Sequence, residues 1–217
     1  MLLTSKMPHI CKNHSTMNFP YQLTEAVEYL SGLVTINEDH EDGRVNSIAD
    51  EETVITLLEQ KYGDKVERPK AREFFDVRLF GYPIQIKSSS YSKGASDNFS
   101  SKAAILYALT TLTEEEVMKV RGWEKFESSL LQYANEENNR DYYIISVNKD
   151  DSSVHLSSLK SLKKLTPNGN NLPFQIQWKN NIETVDRSFD EAYRFLIDTY
   201  KASVERKISV HSLFDVL

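Results

Sequence analysis

The sequence predicts an α/β (α+β) fold: a mixed central β-sheet flanked by helices. Three observations carry this prediction. Residues 21–34 and 47–62 space their apolar side chains as amphipathic helices do. Residues 140–148 and 172–178 are β-branched and aromatic, or alternate apolar with polar, as strands do. The order helix, hairpin, helices, strands, helix is that of a mixed sheet with helical layers.

Taken in order, residues 1–20 read as weakly structured. YQLTEAVEYLSGLV follows as a helix with Thr24 as a candidate N-cap, and 37–44 is a polar linker. A helix over 47–62 has Ser47 or Asp50 as cap, acids in its first turn and Gly63 at its end. EFFDVRLFGYPIQIKSSS reads as two short strands around a Gly81-Tyr82 turn of type II′. A polar loop (88–98) leads to a helix in FSSKAAILYALTTL. Thr113 with Glu116 forms a capping box for a helical stretch over 114–137, broken near Gly122. SSVHLSSL is a second strand or a helix start. A long C-terminal helix is capped by Ser188 with Glu191. The expected division is an N-terminal segment over 1–46, a candidate dimerisation region, and a single domain over 47–217.

The composition, 40% hydrophobic and 27% charged, is that of a globular protein. No apolar run approaches the ~20 residues of a membrane-spanning helix, and MLLTSKMPHICKNHSTMNFP lacks the core of a secretory signal. A single cysteine, Cys11, excludes an internal disulfide and a Cys-rich zinc site. These features together point to the cytoplasm. The five histidines show no ligand spacing, and no P-loop, Rossmann glycine pattern or G-x-S-x-G is present. The net charge of −6 counts against a nucleic-acid partner. Its distribution is uneven: 21–59 is net −9, while 60–102 is net +4 and 155–187 is net +3. Two basic surfaces facing a polyanion would explain this, and so would chance.

Strand alternation puts Gln85 and Lys87 on one face and Ile84 and Ile86 on the other. With a Gly81-Tyr82 turn, Asp76 stands opposite Lys87 and Arg78 opposite Gln85. A carboxylate, an amide and an ammonium then share one surface. Phosphodiester hydrolysis uses such a set: a hard cation held by oxygen ligands, and a lysine that orients a water and offsets phosphate charge. The plainer reading is a surface hairpin with a weak Asp–Lys ion pair. Three features add to the first reading. At 100° per residue, Glu51 projects near the centre of the apolar face set by Val54, Ile55, Leu58 and Tyr62, with Glu52 toward its edge. KVERPKAREFF before the strand is basic. SSSYSKGASDNFSSK after Lys87 is dense in hydroxyls and amides, which suit a phosphate backbone or a plain loop alike.

This pattern resembles the PD-(D/E)xK nuclease superfamily. KYGDKVERPKAREFFDVRLFGYPIQIKSSSYS (61–92) is similar in order and spacing to the core of type II restriction endonucleases of the EcoRV-like group, over roughly residues 47–105. The resemblance implies a restriction-endonuclease-like core. Asp76 matches the first motif aspartate, Gln85 takes the place of the second acid, Lys87 matches the catalytic lysine and Glu51 matches the acid some members carry on the preceding helix. It implies Mg2+, with Mn2+ as substitute, held by Asp76, Gln85, Glu51 and the Ile86 carbonyl. It implies a homodimer on palindromic double-stranded DNA and 5′-phosphate products. Phe75 stands where Pro is typical, and Gln85 is neutral where the family has Asp or Glu.

Expected DNA contacts are Lys70, Arg72, Ser88, Ser89, Tyr91, Lys93, Asn98 and Lys102 around the hairpin. Asn168, Asn170, Asn171, Gln175 and Gln177 follow from the late TPNGNN-LPFQIQW stretch. Their amides suit adenine edges, and Lys160, Lys163 and Lys164 lie just before them. Asn and Gly are also ordinary turn formers. The functional expectation is site-specific DNA cleavage. A repair or junction nuclease and a catalytically decayed DNA-binding module are the rival expectations.

Overall fold

The structure, a computed structural model, describes residues 19–34, 43–70 and 72–212. It is a mixed α/β fold with a five-stranded mixed sheet between helical layers. Two helices, α1 (Tyr21–Ser31) and α2 (Gly43–Tyr62), precede a short strand β1 (Val66–Glu67) and the hairpin β2 (Val77–Leu79) and β3 (Tyr82–Ser89). Next come β4 (Asp97–Phe99), α3 (Lys102–Leu109), α4 (Glu114–Lys119) and α5 (Trp123–Tyr133). Strands β5 (Tyr143–Asn148), β6 (Val154–Ser158), β7 (Thr166–Pro167) and β8 (Phe174–Ile176) lead to α6 (Phe189–Ser212). The main sheet has the order β1-β2-β3-β5-β6, with β3 and β5 parallel and the other pairs antiparallel. Helices α3 to α5 make the crossover that a parallel pair requires. A second, antiparallel sheet has the order β4-β8-β7.

Each face of the main sheet buries its own core. On one side Ile84, Ile86, Ile145 and Val147 pack with Val54 and Leu58 of α2 and Leu23, Ala26 and Leu30 of α1. On the other, Ile144 and Tyr142 pack with α3, with Phe126 and Leu130 of α5, with Phe174 and Ile176 of the second sheet and with Leu196 of α6. Both capping boxes form, with the Glu116 and Glu191 carboxylates accepting from the backbone and hydroxyl of Thr113 and Ser188. No helix among the described residues is long and apolar enough to cross a membrane.

Several boundaries differ from expectation. Pro20, not Thr24, occupies the N-cap of α1. Helix α2 begins at Gly43, ahead of Ser47 and Asp50, so residue 46 lies inside a helix. Part of the expected loop 88–98 is strand, because Asp97–Phe99 pairs with β8. Residues 1–18 lie outside the described residues, and so does most of the 37–44 linker.

The hairpin turn is Phe80-Gly81, with Leu79 paired to Tyr82. Both turn residues have positive φ, 52° and 83°, which defines type I′ rather than II′. Phe80 takes this uncommon conformation with its ring edge-on to Tyr62 at 5.1 Å and its N–H donated to the Lys65 carbonyl. The ladder is thereby displaced by two residues. Val77 faces Ile84 and Arg78 faces Pro83, where Arg78 had been expected opposite Gln85. A displacement of two preserves the face each side chain occupies, whereas a displacement of one would reverse it.

Candidate active site

The site lies where β2 ends and β3 continues. Asp76 stands one residue before β2, and its N–H donates to the Ile84 carbonyl. Its Oδ2 then accepts from the Ile86 N–H at 2.7 Å. The carboxylate thus replaces the ladder partner that β2 no longer supplies. The register brings Asp76 opposite Gln85 rather than Lys87, with Lys87 diagonal to it and close enough for their charges to interact. Lys87 Nζ meets Glu51 Oε1 of α2 at 3.1 Å, both side chains half-buried. Glu51 is the acid that turns inward. Glu52 stays exposed and pairs with Arg68.

Burial pushes the Asp76 carboxyl above its ordinary range, opposed by Lys87 and the Ile86 N–H. Burial also raises Glu51. Lys87 pulls it back, while Asp76 and, more weakly, Asp97 push it up. Glu51 is thus paired with the Lys87 ammonium, while Asp76 feels its charge from beyond ion-pair distance. The Gln85 Oε1 is buried and accepts no hydrogen bond within the protein. An unsatisfied buried acceptor costs about 1–3 kcal/mol. Carboxylates raised by burial next to an unpartnered amide oxygen make a donor set that suits a hard cation. Among the described residues no group of three or more His, Cys, Asp or Glu is placed to hold a metal ion. The set is two carboxylates and one amide, with the Ile86 carbonyl on the same strand.

A buried ion pair lies behind the cluster. Lys149 Nζ meets Asp50 Oδ2 at 2.7 Å, and the Ser88 hydroxyl donates to the same oxygen at 2.9 Å. Asp50 precedes Glu51 and Ser88 follows Lys87, so this clamp ties α2 to β3 beside the Glu51–Lys87 contact. From the sequence Asp50 is expected only as a helix cap. Its spacing with Val54 and Leu58 on the buried stripe was the signal that it points inward.

The expected DNA contacts divide sharply. Lys70, Arg72, Lys93, Asn98, Asn170 and Asn171 are exposed. Ser88, Ser89, Tyr91 and Asn168 are buried. Tyr91 donates its hydroxyl to Ser146, and burial pushes it up to about 12. The Asn168 Oδ1 accepts from the N–H groups of Asn170 and Asn171, so it builds the turn. Its amide donates to Asn98, as does Gln175. Gln177 reaches the Gly94 carbonyl, and Lys102 sits 4.3 Å over the Trp123 ring. Lys160, half-buried, donates to the Asn138 and Arg140 carbonyls. Asp97 accepts from the Trp178 indole N–H, a link that no sequence pattern announced.

No family model matches this sequence, and no curated protein matches it. Among solved structures the chain is similar to one described as a restriction endonuclease in complex with substrate DNA. Identity is 20%, over 59% of this chain and 50% of that chain, with a TM-score of 0.27. The chain spans about half the length of that structure.

Proposed function

We propose that this chain is a magnesium-dependent endodeoxyribonuclease. In its specific form it is a type II restriction enzyme that acts as a homodimer on a short palindromic duplex site and leaves 5′-phosphates. The observation that carries this reading is the convergence of the Asp76 and Glu51 carboxylates, the Lys87 ammonium and the unpartnered Gln85 oxygen at the end of one strand pair.

Asp76, Glu51, the Gln85 amide oxygen and the Ile86 carbonyl would hold magnesium, with manganese as substitute. Such an ion would polarise the phosphate and lower the pKa of a water bound to it. Lys87, held by Glu51, orients that water through its ammonium hydrogens and offsets charge on the phosphate.

Plasmid digestion with sequencing of the ends tests the reading. Magnesium-dependent cutting at discrete sites is expected. Asp76→Ala and Lys87→Ala should each lower it on the order of a thousandfold, or about 4 kcal/mol. Asp76→Asn can still accept from Ile86 N–H, so it separates loss of chemistry from loss of fold. Wild-type cutting by either alanine variant would overturn the assignment. A preference for branched or mismatched DNA would favour a repair or junction nuclease. The neutral Gln85 favours a second reading, a decayed DNA-binding module. That reading predicts tight DNA binding with no cutting in magnesium or manganese.

A further inference from the structure

Lys163, Lys164, Lys179, Asn180, Ile182 and Glu183 line a surface concavity of about 540 Å³ between β6 and α6 in the chain. Its backbone is tied rigidly. The buried Asn181 side chain accepts from Lys164 N–H at 2.9 Å and donates to the Lys164 and Gln177 carbonyls. Trp178, 2% exposed, anchors the neighbouring segment and bonds Asp97. Lys179 directs its ammonium over Gly94, in the loop that follows β3. A Cβ at Gly94 would lie 3.1 Å from that nitrogen. Trp178, beside the concavity in the chain, ties this segment to Asp97 of β4.

Its charges are unequally engaged. Lys163 meets Glu183 at 2.6 Å in the open. Among the described residues, Lys164 and Lys179 have no carboxylate within ion-pair distance, and both are exposed. Two ammonium groups on an immobilised frame, in a chain of net charge −6, make a local cationic site. Phosphates spaced along a nucleic-acid strand suit it, because each phosphate contact releases condensed counterions.

We propose that this groove binds the phosphate backbone of duplex DNA outside the catalytic cluster. Lys164 and Lys179 are the contacts, and Glu183 is an acid that competes with DNA for Lys163. The proposal rests on duplex DNA being the substrate, as the nuclease reading holds.

The test is binding of the full chain to a short labelled duplex in EDTA across a salt series. Lys164→Gln and Lys179→Gln should each reduce the slope of log affinity against log salt by about 1, and together by about 2. Glu183→Gln should tighten binding at low salt by releasing Lys163, an effect that a purely structural role for the groove does not produce. An unchanged slope in the double variant overturns the proposal, and so does a wild-type chain that binds no duplex at low salt. Cleavage in magnesium is scored separately. Cutting with unchanged slopes removes the groove and leaves the nuclease. Lowered slopes with no cutting by any protein remove the nuclease and leave the groove.

Discussion

The parallel pair β3 and β5 carries buried charge at both ends, and the two ends treat it in opposite ways. At the N-terminal end, Arg140 donates to the Thr110 and Leu112 carbonyls and to Asn138, and stacks over Tyr107 at 4.6 Å. Lys160 donates to two more carbonyls, and Asp141 accepts from the Tyr142 N–H. These charged groups close on the backbone of their own domain. At the C-terminal end, Lys87 has one carboxylate, Asp76 one N–H, and Gln85 Oε1 no partner. Buried polar groups are ordinarily satisfied. The buried Ser157 hydroxyl, opposite Ile144, also lacks a partner, so the contrast lies in the charged groups, and the sparsely bonded set around Lys87 is the one with capacity left for something else. Saturated charge at the other end holds structure.

The clamp behind the candidate site bears on this contrast most strongly. Asp50→Ala leaves the Lys149 ammonium almost buried without its acid, which should cost about 3 kcal/mol or more in unfolding by urea. Asp50→Ala combined with Lys149→Met removes both charges and should recover most of that loss. If the single variant were as stable as wild type, the clamp would not organise this end of the sheet.

At the saturated end the sensitive group is Asp141, whose carboxyl burial pushes up to about 6. The folded state then favours the protonated acid. Its contribution is complete below the ordinary aspartate range near pH 4 and is lost as pH rises through about 6, amounting to at most about 3 kcal/mol. Asp141→Asn keeps an oxygen for the Tyr142 N–H and cannot ionise. Unfolding profiles of variant and wild type should therefore diverge between pH 4 and 6, the variant gaining on wild type as pH rises. Parallel profiles would show that Asp141 titrates normally.

How legible each end was in the sequence follows from the range of the interactions that build it. The boxes at Thr113–Glu116 and Ser188–Glu191 involve residues three apart, and both form where the sequence places them. The shared face of Asp76, Gln85 and Lys87 follows from strand periodicity, and it survived a wrong turn because the displacement was even. The turn itself depends on Phe80 meeting Tyr62, a tertiary contact. Strand β4 looked like loop because its partner, β8, lies far along the chain. The same holds for Asp50 with Lys149 and Asp97 with Trp178. Asn168 is buried with its side-chain oxygen engaged in its own turn, a use that composition does not distinguish from recognition.

Gln85 is where the comparison is drawn most finely, and Gln85→Glu places a carboxylate at that position. Without metal it adds a third carboxylate to two that burial already penalises. The variant should then be less stable than wild type in EDTA. With magnesium the same charge strengthens the donor set, so the gain in melting temperature on adding the ion should exceed that of wild type. A ligand at free concentration L that binds only the folded state stabilises it by RT ln(1 + L/Kd), so a tenfold tighter site adds about 1.4 kcal/mol at a given saturating magnesium concentration. Magnesium-dependent cutting should follow, reaching half its maximum at a several-fold lower concentration. If Gln85→Glu lost stability in EDTA and regained none of it in magnesium, the unpartnered oxygen of Gln85 would not face a cation site. The contrast between the two ends of the sheet would then need another cause.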